Sequence, residues 1–298
     1  MMDGAQVWLR WAQFIDLALV FGVPFTAYLL GERRIGGAGR LVLGIGCLAG
    51  LGIGTLGFLL TMAAMMGCDL TDLDRDMVMM MACHSALGWS VLARLCALLI
   101  GLILALAGGS LGTLAVVAGV AAASLAWGGH GAASQGGAGL IRLAGDMAHL
   151  WCGLAWVGAL LLFTARLWRA QAEDRVSLSQ LLRMLSGFAL IGGVLVGVLL
   201  VSGLGNLLFL AAPGEWPAIA HTPYGQLIIA KLALFAGMFL LAAHNRFHLV
   251  PALERASQPL ARHKALAALR GSVSLEMLLA LGVIWCVALA GTLDPTGA

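Results

Sequence analysis

The sequence predicts an all-α, polytopic membrane protein with about eight transmembrane helices. Of its 298 residues, 61% are hydrophobic and only 10% charged, against roughly 25% charged in ordinary soluble domains. The mean hydropathy is +0.98. Uncharged apolar runs recur along the whole chain, and a helix needs about 20 such residues to cross the hydrocarbon core. The runs are continuous, with no alternation of apolar and polar residues, which excludes a membrane barrel.

The runs lie near residues 7–30, 41–66, 86–107, 111–127, 146–166, 184–210, 224–244 and 271–291. The first is preceded by Met1 to Gln6, which has neither a basic region nor a small-residue cleavage site, so this span is expected to stay in the protein. Arg33, Arg34 and Arg40 follow it. The second run ends in a methionine-rich loop holding Asp69, Asp72, Asp74 and Asp76, and the third opens at His84. The fourth closes on Trp127. Arg166, Arg169, Arg175 and Arg183 separate the fifth from the sixth, and Arg246, Arg255, Arg262, Lys264 and Arg270 separate the seventh from the eighth. By the positive-inside rule the arginine-rich loops face the cytoplasm. Both termini then lie outside, in the periplasm of a Gram-negative cell.

An internal repeat gives the same layout. The pattern H-x3-G-x4-A-[RK]-L occurs at His84, Gly88 and Ala93-Arg94-Leu95, and again at His221, Gly225 and Ala230-Lys231-Leu232, 137 residues later. The offset lays spans one to three over five to seven. The chain is therefore read as two parallel four-helix halves, residues 1–142 with a Met/His-rich outer loop at 62–84, and residues 143–298, within one membrane domain.

Ionisable side chains inside spans cost at least about 2.5 kcal/mol each on insertion scales and call for a partner. They are Asp16, Arg94, Asp146, Lys231 and Glu276, with Asn206 as a further polar residue. The carboxylates are expected to pair with Arg94 and Lys231 across the bundle. Such pairs either fix helix packing or line a polar path for a cation or proton.

His84, His130, His149 and His221 all fall near the outer ends of spans. A histidine there is either a hydrogen-bonded interfacial residue or a metal ligand. Beside them, Met77, Met80 or Met81, and His84 share one helical face. Thioethers are soft donors that select Cu(I), while imidazole accepts either copper oxidation state. Methionines in membranes also serve simply as packing. Asp146, His149 and Cys152 are spaced three apart and can share one face of the fifth span. His244 and His248, four apart at the inner end, are read as ordinary basic-loop residues. The six cysteines show no paired spacing and are read as small apolar packing residues.

Several segments together resemble the CopD (also PcoD) copper-resistance membrane protein family. They are Trp127-Gly128-Gly129-His130-Gly131-Ala132-Ala133, His149 followed by Trp156-Val157-Gly158, and Thr222-Pro223-Tyr224-Gly225 leading to Lys231-Leu232-Ala233-Leu234. Asn245-Arg246-Phe247 with Pro251 follows, then Ser272-Val273-Ser274-Leu275-Glu276 leading to Gly291-Thr292-Leu293. The likeness is strongest from about residue 125 onward. It implies copper, as Cu(I) or Cu(II), moved from periplasm toward cytoplasm, with His130 and His149 carried over as ligands. His84 and His221 rest on the repeat and on their side of the membrane. Some relatives carry a fused CopC-like domain; here a separate periplasmic carrier of that type is implied as partner.

The expected function is copper transport or homeostasis, with copper captured by outer-face His, Met and Asp groups. No phosphate-binding loop is present, so no ATP coupling is expected. Neither enzymatic turnover nor a nucleic-acid partner is expected. Two alternatives stand beside it: a haem-binding membrane cytochrome with histidine axial ligands, and a non-transporting membrane module that docks a periplasmic copper carrier.

Overall fold

The computed structural model describes residues 2–127, 137–210 and 213–293. Regular structure among them is helical: α1 (Met2–Leu17), α2 (Val23–Leu29), α3 (Gly37–Met66), α4 (Arg75–His84), α5 (Ala86–Ala107), α6 (Leu111–Trp127), α7 (Gly137–Arg169), α8 (Arg175–Leu210), α9 (Trp216–Ala220), α10 (Pro223–His244), α11 (Val250–Arg255) and α12 (Pro259–Ala290). Among the described residues, seven helices are long and apolar enough to cross a membrane, the first being the α1–α2 unit. The eighth expected crossing, α6, has 17 residues and falls below that length. Apolar side chains such as Leu190, Val201 and Val116 point outward, as suits a surface that meets lipid.

Two helices open into π turns, Ala18–Gly22 between α1 and α2, and Asn245–Leu249 between α10 and α11. Each turn is followed by a Val-Pro pair, Val23-Pro24 and Val250-Pro251. Proline has no N–H to return to the carbonyl four residues back, and its ring crowds that carbonyl, so the helix widens just before it. The first π turn lets the chain pass close to α7. A Cβ on Gly22 would stand 2.2 Å from the Leu154 carbonyl oxygen, and one on Gly158 would stand 2.2 Å from the Gly22 carbonyl carbon. Leu17, Val20 and Phe21 pack there with Leu154, Ala155 and Ala159 in the main apolar core.

The long helices run past the expected apolar limits, because α7, α8 and α12 continue into their arginine-bearing ends. At that end Arg270 donates to the carbonyls of Leu167 and Ala170, and Arg262 to that of Ala172. Arginines of α12 thus satisfy the open carbonyls at the C-terminus of α7, where a cation also meets the negative end of the helix dipole. Arg166 pairs with Glu32 at 2.7 Å, tying α7 to the loop after α2. At the opposite, methionine-rich end Trp8, Trp11 and Trp285 form an aromatic cluster between α1 and α12, and Arg10 donates to the Gly291 carbonyl.

The two H-x3-G segments are built alike. Ser85 accepts from the Gly88 N–H and Thr222 from the Gly225 N–H, each capping its helix. A Cβ on Gly88 would lie 2.3 Å from the Met81 carbonyl oxygen, and one on Gly225 would lie 2.0 Å from that of Ile219. Both glycines let the preceding short helix, α4 or α9, fold back onto the next long one.

Candidate functional site

His149 sits on α7 where that helix packs along α8. Its Nδ1 is 2.9 Å from the Ser202 hydroxyl oxygen. That hydroxyl donates its proton to the Val198 carbonyl at 2.6 Å. With its proton so engaged, Ser202 accepts from an Nδ1–H of His149, and the Leu199 carbonyl lies beside the ring as well. The ring lies over Gly203, where a Cβ would stand 3.3 Å from Cε1. Lys231 of α10 is near enough to act on His149 through its charge, and Cys286 of α12 is within similar reach of Lys231.

One turn nearer the methionine-rich end, Asp146 hydrogen-bonds Asn206 of α8, with Arg142 close by. Asp146 and His149 both address α8. Cys152 packs against the apolar core. Since α8 lies along α7 and α10 along α12, α8 approaches the α10 side chiefly at the second π turn and α11. The polar groups of α7, α8 and α10 that meet at His149 thus form a seam away from that turn, toward the methionine-rich end.

About 10 Å further along α7, seven residues at 1.5 Å each, Trp156 donates its indole N–H to Glu276 at 3.3 Å. Asn245, at the head of the π turn, donates to the second carboxyl oxygen at 3.1 Å. Glu276 is 3% exposed, and the Asn245 amide oxygen beside it has no hydrogen-bond partner.

The expected ion pairs of the spanning carboxylates are corrected by this geometry. Glu276 is held by two neutral donors. Asp16 is buried against Gly46 and Gly50, with Oδ2 unpartnered. Arg94 donates from Nε to Ser124 at 2.9 Å. Among the described residues the ion pairs are Arg166 with Glu32 and His263 with Glu173, both at the arginine-rich end. Pairing depends on azimuth and depth, and hydropathy carries neither. Ser124, Ser202, Trp156 and Asn245 were the partners missed; a hydroxyl or amide inside an apolar run was the signal that could have found them.

His84 ends α4 and is exposed, as are Met77 and Met80, while Met81 is half-buried. His221 follows α9 and is exposed. His130 lies outside the described residues. Among those described, no group of three or more His, Cys, Asp or Glu side chains gathers as a metal site.

Residues 182–290 match the family model described as Copper resistance protein D, and residues 1–140 match Copper resistance protein D-like, N-terminal domain. The chain is 35% identical to Copper resistance protein D of Pseudomonas syringae pv. tomato, over 99% of this chain and 98% of that protein. The chain belongs to the copper resistance protein D family. Two partial relatives are also similar. The Copper transport protein CutJ of Bacillus subtilis (strain 168) is 36% identical over 33% of this chain and 17% of its own length. The Inner membrane protein YebZ of Escherichia coli (strain K12) is 31% identical over 43% of this chain and 42% of its own. No solved structure matches. In this member of the copper resistance protein D family, the His149 seam and the Glu276 cluster both draw on residues within or beside the 182–290 match.

Proposed function

We propose that this protein moves copper across the bacterial inner membrane from periplasm toward cytoplasm, with His149 as the ligand inside the span. The observation that supports this most is the His149 ring itself. Metal-binding imidazoles usually donate their second N–H to a fixed acceptor, which sets the tautomer and aims the free nitrogen. Ser202 and Val198 do this for His149, leaving Nε2 as a neutral donor inside an apolar helix bundle.

The topology that goes with this reading has eight crossings in two parallel four-helix halves, the arginine-rich end in the cytoplasm and both termini outside. The like construction of the Gly88 and Gly225 turns supports the two halves. Exposed Met77 and Met80 with His84 on α4, and Asp146 above His149, are the capture groups for copper handed over by a CopC-like periplasmic carrier. His221 and Lys231 take part from the second half. His130 joins them through the family resemblance.

Copper uptake into proteoliposomes tests the proposal. Wild type should accumulate copper well above empty vesicles, and His149→Ala should lose most of the excess. Equal uptake by the variant removes His149 from the path. Carrier binding without uptake replaces transport with a docking role, and a Soret band with stoichiometric haem replaces copper with haem.

A further inference from the structure

We propose that the first half of the bundle holds a small anion at Arg94, in a polar cavity separate from the copper seam. Arg94 of α5 is 7% exposed. Its Nε donates to Ser124 of α6, whose own proton goes to the Ala121 carbonyl at 2.7 Å. The remaining four guanidinium N–H groups have no hydrogen-bond partner among the described residues, and no carboxylate pairs with them.

Those groups border a cavity of about 230 Å³ between α1, α3 and α5, which Leu125 of α6 and Leu150 of α7 also line. Its polar lining is Arg10, Arg94, Gln6, Gln13, Ser90 and Thr61, and no carboxylate lines it. The nearest acid in sequence is Asp16, three residues from Gln13. It turns instead to α3, where a Cβ on Gly50 would stand 2.3 Å from its Oδ2. Arg10 is partly engaged, donating to the Gly291 carbonyl at 2.9 Å. Gln13 makes no hydrogen bond among the described residues and leaves an amide donor on the cavity wall.

Two guanidinium groups bordering one cavity repel each other, and water would hydrate their N–H groups without neutralising them. An anion does both. The planar fork of an arginine presents parallel N–H groups that suit a spherical halide, a small carboxylate or one phosphate edge. Nε anchored on Ser124 holds that fork in one orientation. The chemistry is shared by a free anion and by the phosphate of a lipid headgroup, and the experiment separates the two.

The full chain is purified in neutral detergent, exchanged into gluconate, and titrated with radiolabelled chloride at constant ionic strength, with melting temperature followed in parallel. Wild type should bind chloride saturably, near one per chain, and melt higher as chloride is added. Arg94→Gln should bind at least tenfold more weakly, and Ser124→Ala, which keeps the charge but frees Nε, should fall between. Arg94→Lys keeps a cation without the fork and guards against a folding failure of the glutamine variant. His149→Ala should bind chloride as wild type does, so failure of the copper reading leaves this result untouched. If chloride does not bind but native mass spectrometry finds a phosphatidylglycerol retained by wild type and lost from Arg94→Gln, the anion is the lipid phosphate and the site stands. Chloride binding that is equal in wild type and all Arg94 variants, or no chloride binding with no lipid difference, overturns the proposal.

Discussion

Nδ1 of His149 and the hydroxyl of Ser202 stand 2.9 Å apart across the α7–α8 contact, and the Val198 carbonyl takes the serine's only proton. The direction of the first hydrogen bond follows from the second. Losing such an outer partner typically lowers metal affinity by about 10–100-fold. On the proposed reading of His149 as a copper ligand, Ser202→Ala should therefore weaken copper binding by about that factor in competition with a chromogenic chelator, while His149→Ala should abolish it. Ser202→Thr keeps the hydroxyl and should stay near wild type. Unchanged affinity in the alanine variant would show that the ring needs no orienting partner.

A second prediction concerns the crossing of the first π turn with α7. Gly22 and Gly158 meet backbone to backbone, and the atoms that a Cβ would strike are main-chain atoms, which cannot swing aside. Gly22→Ala or Gly158→Ala should cost toward or beyond the upper end of the roughly 1–3 kcal/mol typical of overpacking. Gly52, on α3 with open space around its Cβ position, is the control. Gly52→Ala should be neutral or stabilising by about 0.5–1 kcal/mol, since a helix-interior glycine is entropically unfavourable. Thermal unfolding in one detergent compares all three.

The Trp156–Glu276–Asn245 cluster yields a third. Hydrogen bonds between transmembrane helices average about 0.6 kcal/mol and reach about 1.7. Glu276→Gln keeps one oxygen for the Trp156 indole, and its amide NH2 can donate to the unpartnered Asn245 Oδ1 once that amide flips, so it should melt close to wild type. Glu276→Leu leaves the Trp156 indole and the Asn245 amide without an acceptor and should be the less stable of the two by about 1–3 kcal/mol. Equal melting of the two variants would mean that the cluster contributes shape alone.

These sites show which parts of the molecule were legible in the sequence. Apolar runs located the spans, since length and hydropathy decide what can cross a bilayer. The matched glycines Gly88 and Gly225 were visible because the pattern occurs twice, and each has a local steric cause. The partners of Glu276 and Arg94 were not visible. Ionic pairing was the natural expectation for charges in spans, yet Glu276 is served by an indole and an amide, and Arg94 by one serine. Which helix faces which, and at what depth, is decided by packing such as the Gly22–Gly158 contact and by π turns that rotate everything after them. Val-Pro at Val23-Pro24 and Val250-Pro251 was the available sign of those turns.

The last prediction lies outside the membrane-spanning segments, in the connection from α7 to α8. The Glu173 carboxyl is held below its ordinary value of 4.5, first by its own backbone N–H and then by the His263 ring, whose Nε2 is 2.6 Å from Oε1. Asp174, which caps α8, is held low by the Ser177 hydroxyl and N–H and by the Val176 N–H. An acid whose folded-state value is depressed contributes stability that is complete above its unfolded value and is lost as pH falls through the folded one. The docking of this loop on α12 should thus be constant from neutrality down to about pH 4.5 and weaken below it. Hydrogen-exchange protection factors of residues 170–178, measured between pH 6 and pH 3, should fall in that lower window. His263→Ala should reduce the Glu173 part of the fall, leaving what its own backbone N–H contributes together with the part due to Asp174, whereas a fall centred above pH 5 would assign the change to a group other than these two carboxylates.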